Sequence, residues 1–208
     1  MLNISTKNIL KKNKQSIFLF HGVINKKIHK VRNYNNKHIL KDDFYKFLTN
    51  LKKNGSSISM NELVYSYVNK VKIPSNSFCI TFDDGFYNNY KIAAPILNDL
   101  NIHSTFYICT DFILNNRMSW IDRIDAAVEE SNGVEIEMPW GIMAFDKSIK
   151  SKINFLTKIR KIIKTNTKYD PIKFSDKIQK LLIKKNFDKS NDIIDKKLSI
   201  KNVKELLN

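Results

Sequence analysis

Two adjacent carboxylates, Asp83 and Asp84, directly follow an apolar run of strand formers, Phe78-Cys79-Ile80-Thr81-Phe82, and directly precede Gly85. Charges seldom follow a buried strand without a partner, because an unpaired buried carboxylate is costly or takes up a proton. Two side by side repel, so one needs a cation and the other a proton or a donor. At the C-terminal end of a strand, that pattern fits a metal site with a base beside it. It also fits a plain turn, since Asp-Asp-Gly is good turn chemistry and glycine supplies positive φ.

The elements that must position this pair are legible from periodicity. Ile17–Val23 is a short continuous apolar run and predicts a buried strand. Asp42 or Asp43 is the expected cap of a helix through Lys53, with Phe44, Phe47, Leu48 and Leu51 as its apolar stripe and Asn54-Gly55 as its stop. Ser56–Met60 predicts a short strand, and Ser59 an N-cap for a helix over Asn61–Val68 with Glu62 in its first turn. Tyr90–Leu100 reads as a helix that Pro95 must kink or restart. His103–Cys109 predicts another buried strand. This alternation of strand and helix predicts parallel strands joined by crossover helices. Such sheets place sites at the carboxyl ends of their strands, and His21, Asp83, Asp84 and Asp111 all lie at or just past such ends.

Beyond Trp120 the pattern changes. Trp120–Glu130 predicts a helix, Val134–Met138 and Ile142–Phe145 a hairpin, and Ile149–Lys164 and Phe174–Lys185 two amphipathic helices. Residues 131–197 therefore read as a mostly helical insertion between an N-terminal part, 14–130, and the start of a further unit, 198–208. All belong to a single domain, for which 208 residues suffice.

Bulk composition excludes several classes. The net charge is +16, yet only Arg32, Arg117, Arg123 and Arg160 are arginines, and base and phosphate recognition favours the arginine fork. Residues 145–208 hold 18 basic and 7 acidic side chains, a net +11 that reads as a solvated face. No specific nucleic-acid partner is expected. No run approaches a membrane span, and Ile17–Phe20 is too short for a signal-peptide core, which predicts a cytoplasmic chain. Cys79 and Cys109 fall in apolar strand segments and read as buried free thiols.

Thr81-Phe82-Asp83-Asp84-Gly85 resembles the first signature motif of the polysaccharide deacetylases (carbohydrate esterase family 4, NodB-like domains). Ile17–Val23 resembles the family's first strand, which ends in a histidine near the active-site mouth, here His21. The segments His38–Leu63, Tyr90–Ile113 and Trp120–Ala127 are similar to the elements that follow, and Leu198–Leu207 echoes a later helix. The similarity covers roughly residues 16–130. It implies an α/β fold, a distorted (β/α) barrel that is incomplete at the C-terminus. It also implies metal-dependent removal of acetyl from an N-acetylated (or O-acetylated) oligo- or polysaccharide of a surface glycan. Carried over by position, Asp83 is the general base and Asp84 a ligand of a divalent ion, commonly zinc. Thr81 and Gly85 shape the turn that aims them, and His21 and Asp111 are candidate lining residues. Trp120, Asp122 and Arg123 take a supporting role.

The family's two further metal ligands come from a His-x-x-x-His motif that this sequence lacks. Its four histidines are His21, His29, His38 and His103. Of these, His21 alone follows a strand end in a position to face Asp84. The other three read as surface or packing residues. The metal site is therefore expected to be incomplete, and the sequence reads as a truncated product or fragment. Its alternative role is an inactive or carbohydrate-binding remnant.

Overall fold

The computed structural model describes residues 9–10, 14–184 and 188–207. It is a mixed α/β structure with parallel sheet, in two compact units. The described parts of 1–27, 37–115 and 192–208 form the first unit, and those of 28–36 and 116–191 the second.

The first unit is built around β4 (Phe78–Phe82), the middle strand of a three-stranded sheet. It pairs in parallel with β1 (Ser16–Phe20) on one side and β5 (Ser104–Phe106) on the other. Both neighbours satisfy its backbone, so all five residues are buried, as the unbroken apolar run requires. Side chains alternate along a strand, so Phe78, Ile80 and Phe82 turn to one face while Cys79 and Thr81 turn to the other. The first face packs on α1 (Lys41–Asn54), whose expected stripe of Phe44, Phe47, Leu48 and Leu51 is buried. Rings lock this contact. Phe82 stacks on Phe106 at 5.0 Å between centroids, and Phe20 meets Phe44 edge-on at 5.1 Å.

The apolar run 17–23 is two strands, not one. β1 ends at Phe20, and after His21 the chain enters β2 (Gly22–Ile24), which pairs in parallel with β3 (His38–Leu40) in a separate sheet. Because β1 is an edge strand with one face open, Ile17 and Leu19 are each 53% exposed, contrary to the expectation of full burial. The run expected as a buried strand over 103–109 is likewise shorter. β5 covers three residues, all half-buried, and Cys109 lies past its end.

Local signals set the helices. Asp42 and Asp43 fall inside the first turn of α1 and do not cap it; the N-cap is Leu40, without a side-chain bond. Their charge still suits the helix N-terminus. In α2 (Met60–Asn69) the Ser59 side chain accepts from the Glu62 backbone N–H at 3.1 Å, and the Glu62 carboxylate accepts from the Ser59 N–H at 2.7 Å. This is a reciprocal capping box. Pro95 has no N–H to continue an α-helical ladder, and the chain accommodates it with one π-helical turn, Asn89–Ala93, before α3 (Ala94–Asp99). α4 (Thr110–Asn115) follows β5.

The second unit comprises α5 (Trp120–Glu130), the antiparallel hairpin of β6 (Val134–Met138) and β7 (Gly141–Phe145), α6 (Ile149–Thr165) and α7 (Pro171–Ile183). The expected end of the last helix at Lys185 lies outside the described residues. Its core joins Ile124, Val128, Phe145, Phe155, Leu156, Ile159 and Ile178, with Val31 from the 28–36 segment. This unit is wider than 131–197, since it takes in α5 and 28–36, while 192–208, with α8 (Ile200–Leu206), belongs to the first. Arg123 explains part of that grouping: it pairs with Asp176 and bonds Gln179 at 2.9 Å, tying α5 to α7.

The 28–36 segment is held by Glu129. One carboxylate oxygen accepts the N–H groups of Lys30 and Val31, each at 2.9 Å, and the other meets His29 Nδ1 at 2.7 Å. Burial pushes this carboxyl up, but the Val31 N–H, His29 and Arg32 outweigh it and hold it below the ordinary glutamate range.

Two outcomes follow for stability. Replacing Phe82 by Ala should cost about 3–5 kcal/mol in chemical denaturation, the loss expected for a buried phenylalanine. Because the folded pKa of Glu129 is depressed, its clamp contributes above the unfolded value and is lost as pH falls through the folded one. The difference in urea midpoint between wild type and Glu129→Gln should therefore be largest at neutral pH and shrink in acid.

Candidate functional site

Asp83 and Asp84 leave β4 immediately after Phe82 has been buried. The N–H of Asp83 still belongs to the sheet, donating to the Phe20 carbonyl at 3.0 Å. Phe20 pairs with Phe82, so His21 and Asp83 each lead out of neighbouring strands at the same level. His21, Asp83 and Asp84 are all half-buried, and Thr81 is buried one turn of the pleat below. The structure thus brings His21, Thr81, Asp83, Asp84 and Gly85 together at the carboxyl ends of two parallel strands.

The turn is left-handed at two successive residues, Asp84 at φ 70° and Gly85 at φ 62°. Aspartate is one of the few residues with a side chain that tolerates this region, at some cost in strain. At Gly85 the space is also tight. A Cβ would lie 3.1 Å from Ile113 Cδ1 and 3.3 Å from Ile108 Cγ2. Positive φ, with Ile108 and Ile113 packed close beside the turn, therefore favours glycine.

Below the turn, a set of contacts that the sequence did not disclose fixes residues 85–88. Leu198 N–H donates to the Gly85 carbonyl at 2.9 Å, and Phe86 pairs with Lys197 in an antiparallel bridge. The Phe86 ring is buried, with Lys197 Nζ 3.3 Å from its centroid and the His38 ring edge-on at 4.8 Å. Asn88 accepts from the Val23 N–H at 3.2 Å and donates to the Ile193 carbonyl at 3.0 Å, with its amide 3.2 Å from His38 Nδ1. Gly22 is the space that this needs, since a Cβ there would fall 2.1 Å from His38 Nδ1. A glycine directly after His21 was the available signal. Asn88 and His38 had none.

His38 is therefore a buried packing residue, and His29 is committed to Glu129. His103 is exposed ahead of β5. Asp111 lies exposed in the first turn of α4, where its carboxylate accepts from Asn115 Nδ2 at 2.9 Å within the same helix. Asp122 and Arg123 are buried in α5, a supporting position. Among the described residues no three His, Cys, Asp or Glu side chains gather to hold a metal ion. Catalytic zinc usually takes three protein ligands, and no such set gathers among the described residues.

No family model matches this chain, and no curated protein matches it. Solved structures do. One is the Streptococcus pyogenes deacetylase PplD in complex with acetate, at 20% identity and TM-score 0.41, over 50% of this chain and 46% of that one. Another is IcaB from Ammonifex degensii, at 16% identity and TM-score 0.42, over 56% and 49%. A third is a de-N-acetylase from Aggregatibacter actinomycetemcomitans, at 16% identity and TM-score 0.44, over 92% and 84%. The match spans about half the length of the first two. Among the described residues no helix is long and apolar enough to cross a membrane.

The turn geometry and the thiols yield separate tests. Gly85→Ala should lose more than about 1 kcal/mol of stability, because alanine meets both positive φ and occupied space. Asp84→Gly should be no less stable than wild type in the same melt, since it relieves a left-handed aspartate. Burial, with the Glu62 carboxylate adding to it, pushes the Cys79 thiol up to about 11, whereas Cys109 is half-buried. A maleimide at neutral pH should label Cys109 in the native protein and Cys79 only on unfolding.

Proposed function

We propose that this chain is of the polysaccharide deacetylase type, built on that family's distorted (β/α) barrel and directed at an N-acetylated oligo- or polysaccharide. The observation that carries the reading is the placement of Asp83 and Asp84 on a left-handed turn at the carboxyl end of the central parallel strand. In this reading Asp83 is the base that takes a proton from the attacking water. Asp84 is one ligand of a divalent ion, zinc by family resemblance. His21, level with Asp83 at the neighbouring strand end, lines the site. Thr81 and Gly85 hold the turn. Asp111 sits on α4, whose Ile113 contacts the turn at Gly85.

A second reading is favoured by one observation: the described residues supply no set of three metal ligands. On that reading the chain by itself binds carbohydrate or is inert. The two join in a single expectation, that this chain has the fold and base of a deacetylase but does not turn over unaided.

The test uses an N-acetylated chito-oligosaccharide and measures released acetate, alongside zinc bound per chain. Activity no higher than that of Asp84→Ala, with weak zinc binding, is the expected result. Turnover that Asp84→Ala abolishes would show that these residues suffice, and would overturn the second reading. Turnover that survives Asp83→Asn would overturn the role given to Asp83.

A further inference from the structure

α7 and its C-cap carry four exposed lysines in line, Lys173, Lys177, Lys180 and Lys184. At helical pitch they share a stripe about 60° wide and about 16 Å long, on the face away from the buried Phe174, Ser175, Ile178 and Gln179. A lysine-rich composition does not by itself produce this. α6 is as rich in lysine, yet its exposed Lys150, Lys158, Lys161 and Lys164 spread over about twice that width. The one acidic side chain within α7, Asp176, is turned to Arg123 of α5, and none of the four ammonium groups has a carboxylate partner among the described residues. Neighbours three and four residues apart along the stripe repel, and Lys173 lies in the first turn, at the wrong end of the helix dipole. That repulsion is a cost to folding which a bound polyanion would remove. Further apolar core cannot cover the stripe, because burying unpaired ammonium groups is prohibitive. Its occupant must bring negative charge.

We infer that the α7 stripe is a docking site for a linear acidic polysaccharide, one that bears carboxylates along its length. Successive lysines stand about 4.5 to 6 Å apart along the axis, so a chain with charge on successive sugars meets them in single file. Ile172 and Leu181, each 48% exposed, flank the stripe on opposite sides and offer apolar surface to the C–H faces of sugar rings. An anionic bilayer fits poorly. Its two candidate anchors point to opposite flanks, so inserting either one tips the lysines off the lipid surface. Nucleic acid fits poorly as well, since phosphate recognition favours the arginine fork and the stripe is all lysine. Binding at this face requires no turnover at Asp83 and Asp84, so it stands or falls apart from the deacetylase reading.

The probe is a fluorescein-labelled octagalacturonate, followed by anisotropy against the full chain at low salt. Saturable binding at one oligomer per chain is expected, falling steeply as salt is added. The fully methyl-esterified oligomer should not bind. Replacing Lys173, Lys177, Lys180 and Lys184 together by Gln should weaken binding about tenfold or more. The melting temperature of that variant should be no lower than wild type, because like-charge repulsion is removed. The same change at Lys41, Lys46, Lys53 and Lys72, exposed in the first unit, removes equal net charge and should weaken binding less than about threefold. If the stripe variant does not fold, amine acylation of the wild type decides: bound oligomer should protect the stripe lysines and not the other four. Absence of saturable binding, binding of the methyl ester, equal loss in the two variants or equal protection of the two lysine sets would each overturn the proposal. So would tighter binding to phosphatidylglycerol vesicles or duplex DNA than to the oligomer.

Discussion

Everything at the strand ends depends on the burial of Phe82. Its ring is 1% exposed and packs against Phe20, Phe44 and Phe106. The next residue is a carboxylate. A strand that must hide its last side chain and ionise the following one has little freedom in where it stops, because a slip of one residue would exchange the two. The aromatic cluster thereby sets the height at which Asp83 and Asp84 emerge. The three-stranded ladder sets their direction, and α1 supplies the surface that makes the burial worthwhile.

The turn after Phe82 is not held by that ladder alone. Residues 192–198 return from the far end of the sequence to bond Gly85, Tyr87 and Asn88. Asn88 then reaches across to Val23, beside His21. The carboxylates and the histidine are thus tied to one another through backbone, although they lie on different strands. The polar side chains at the strand ends stay half-buried, while buried amides fix the frame beneath them.

Much of this was legible because the signals were local. The stripe of α1, the Ser59–Glu62 box, the break at Pro95 and the limits of α5 each follow from residues within a turn or two. The strand-end carboxylates were legible for the same reason, since an apolar run that ends in Asp-Asp-Gly is a local pattern. What could not be read is long-range. Whether Ile17–Val23 is one strand or two depends on which strands come to lie beside it. His38 reads only as a surface or packing residue at a helix start until Asn88 and Phe86, about fifty positions away, close over it. The half-burial of β5 reflects its place at a sheet edge, which composition does not encode. The membership of 28–36 in the second unit rests on Glu129, about a hundred residues downstream.

Asp84 and Gly85 share a backbone conformation and differ in what holds them to their identities. Gly85 is also crowded by Ile108 and Ile113, so a side chain there meets strain and close packing in every molecule that folds. Asp84 faces no such filter. Asparagine enters the left-handed region as readily as aspartate and has nearly the same shape. A single such exchange would silence the charge and leave the turn in place. Drift constrained by folding alone would therefore keep the glycine and let the carboxylate go. Which of the two persists in a lineage is a record of whether anything beyond folding holds the carboxylate.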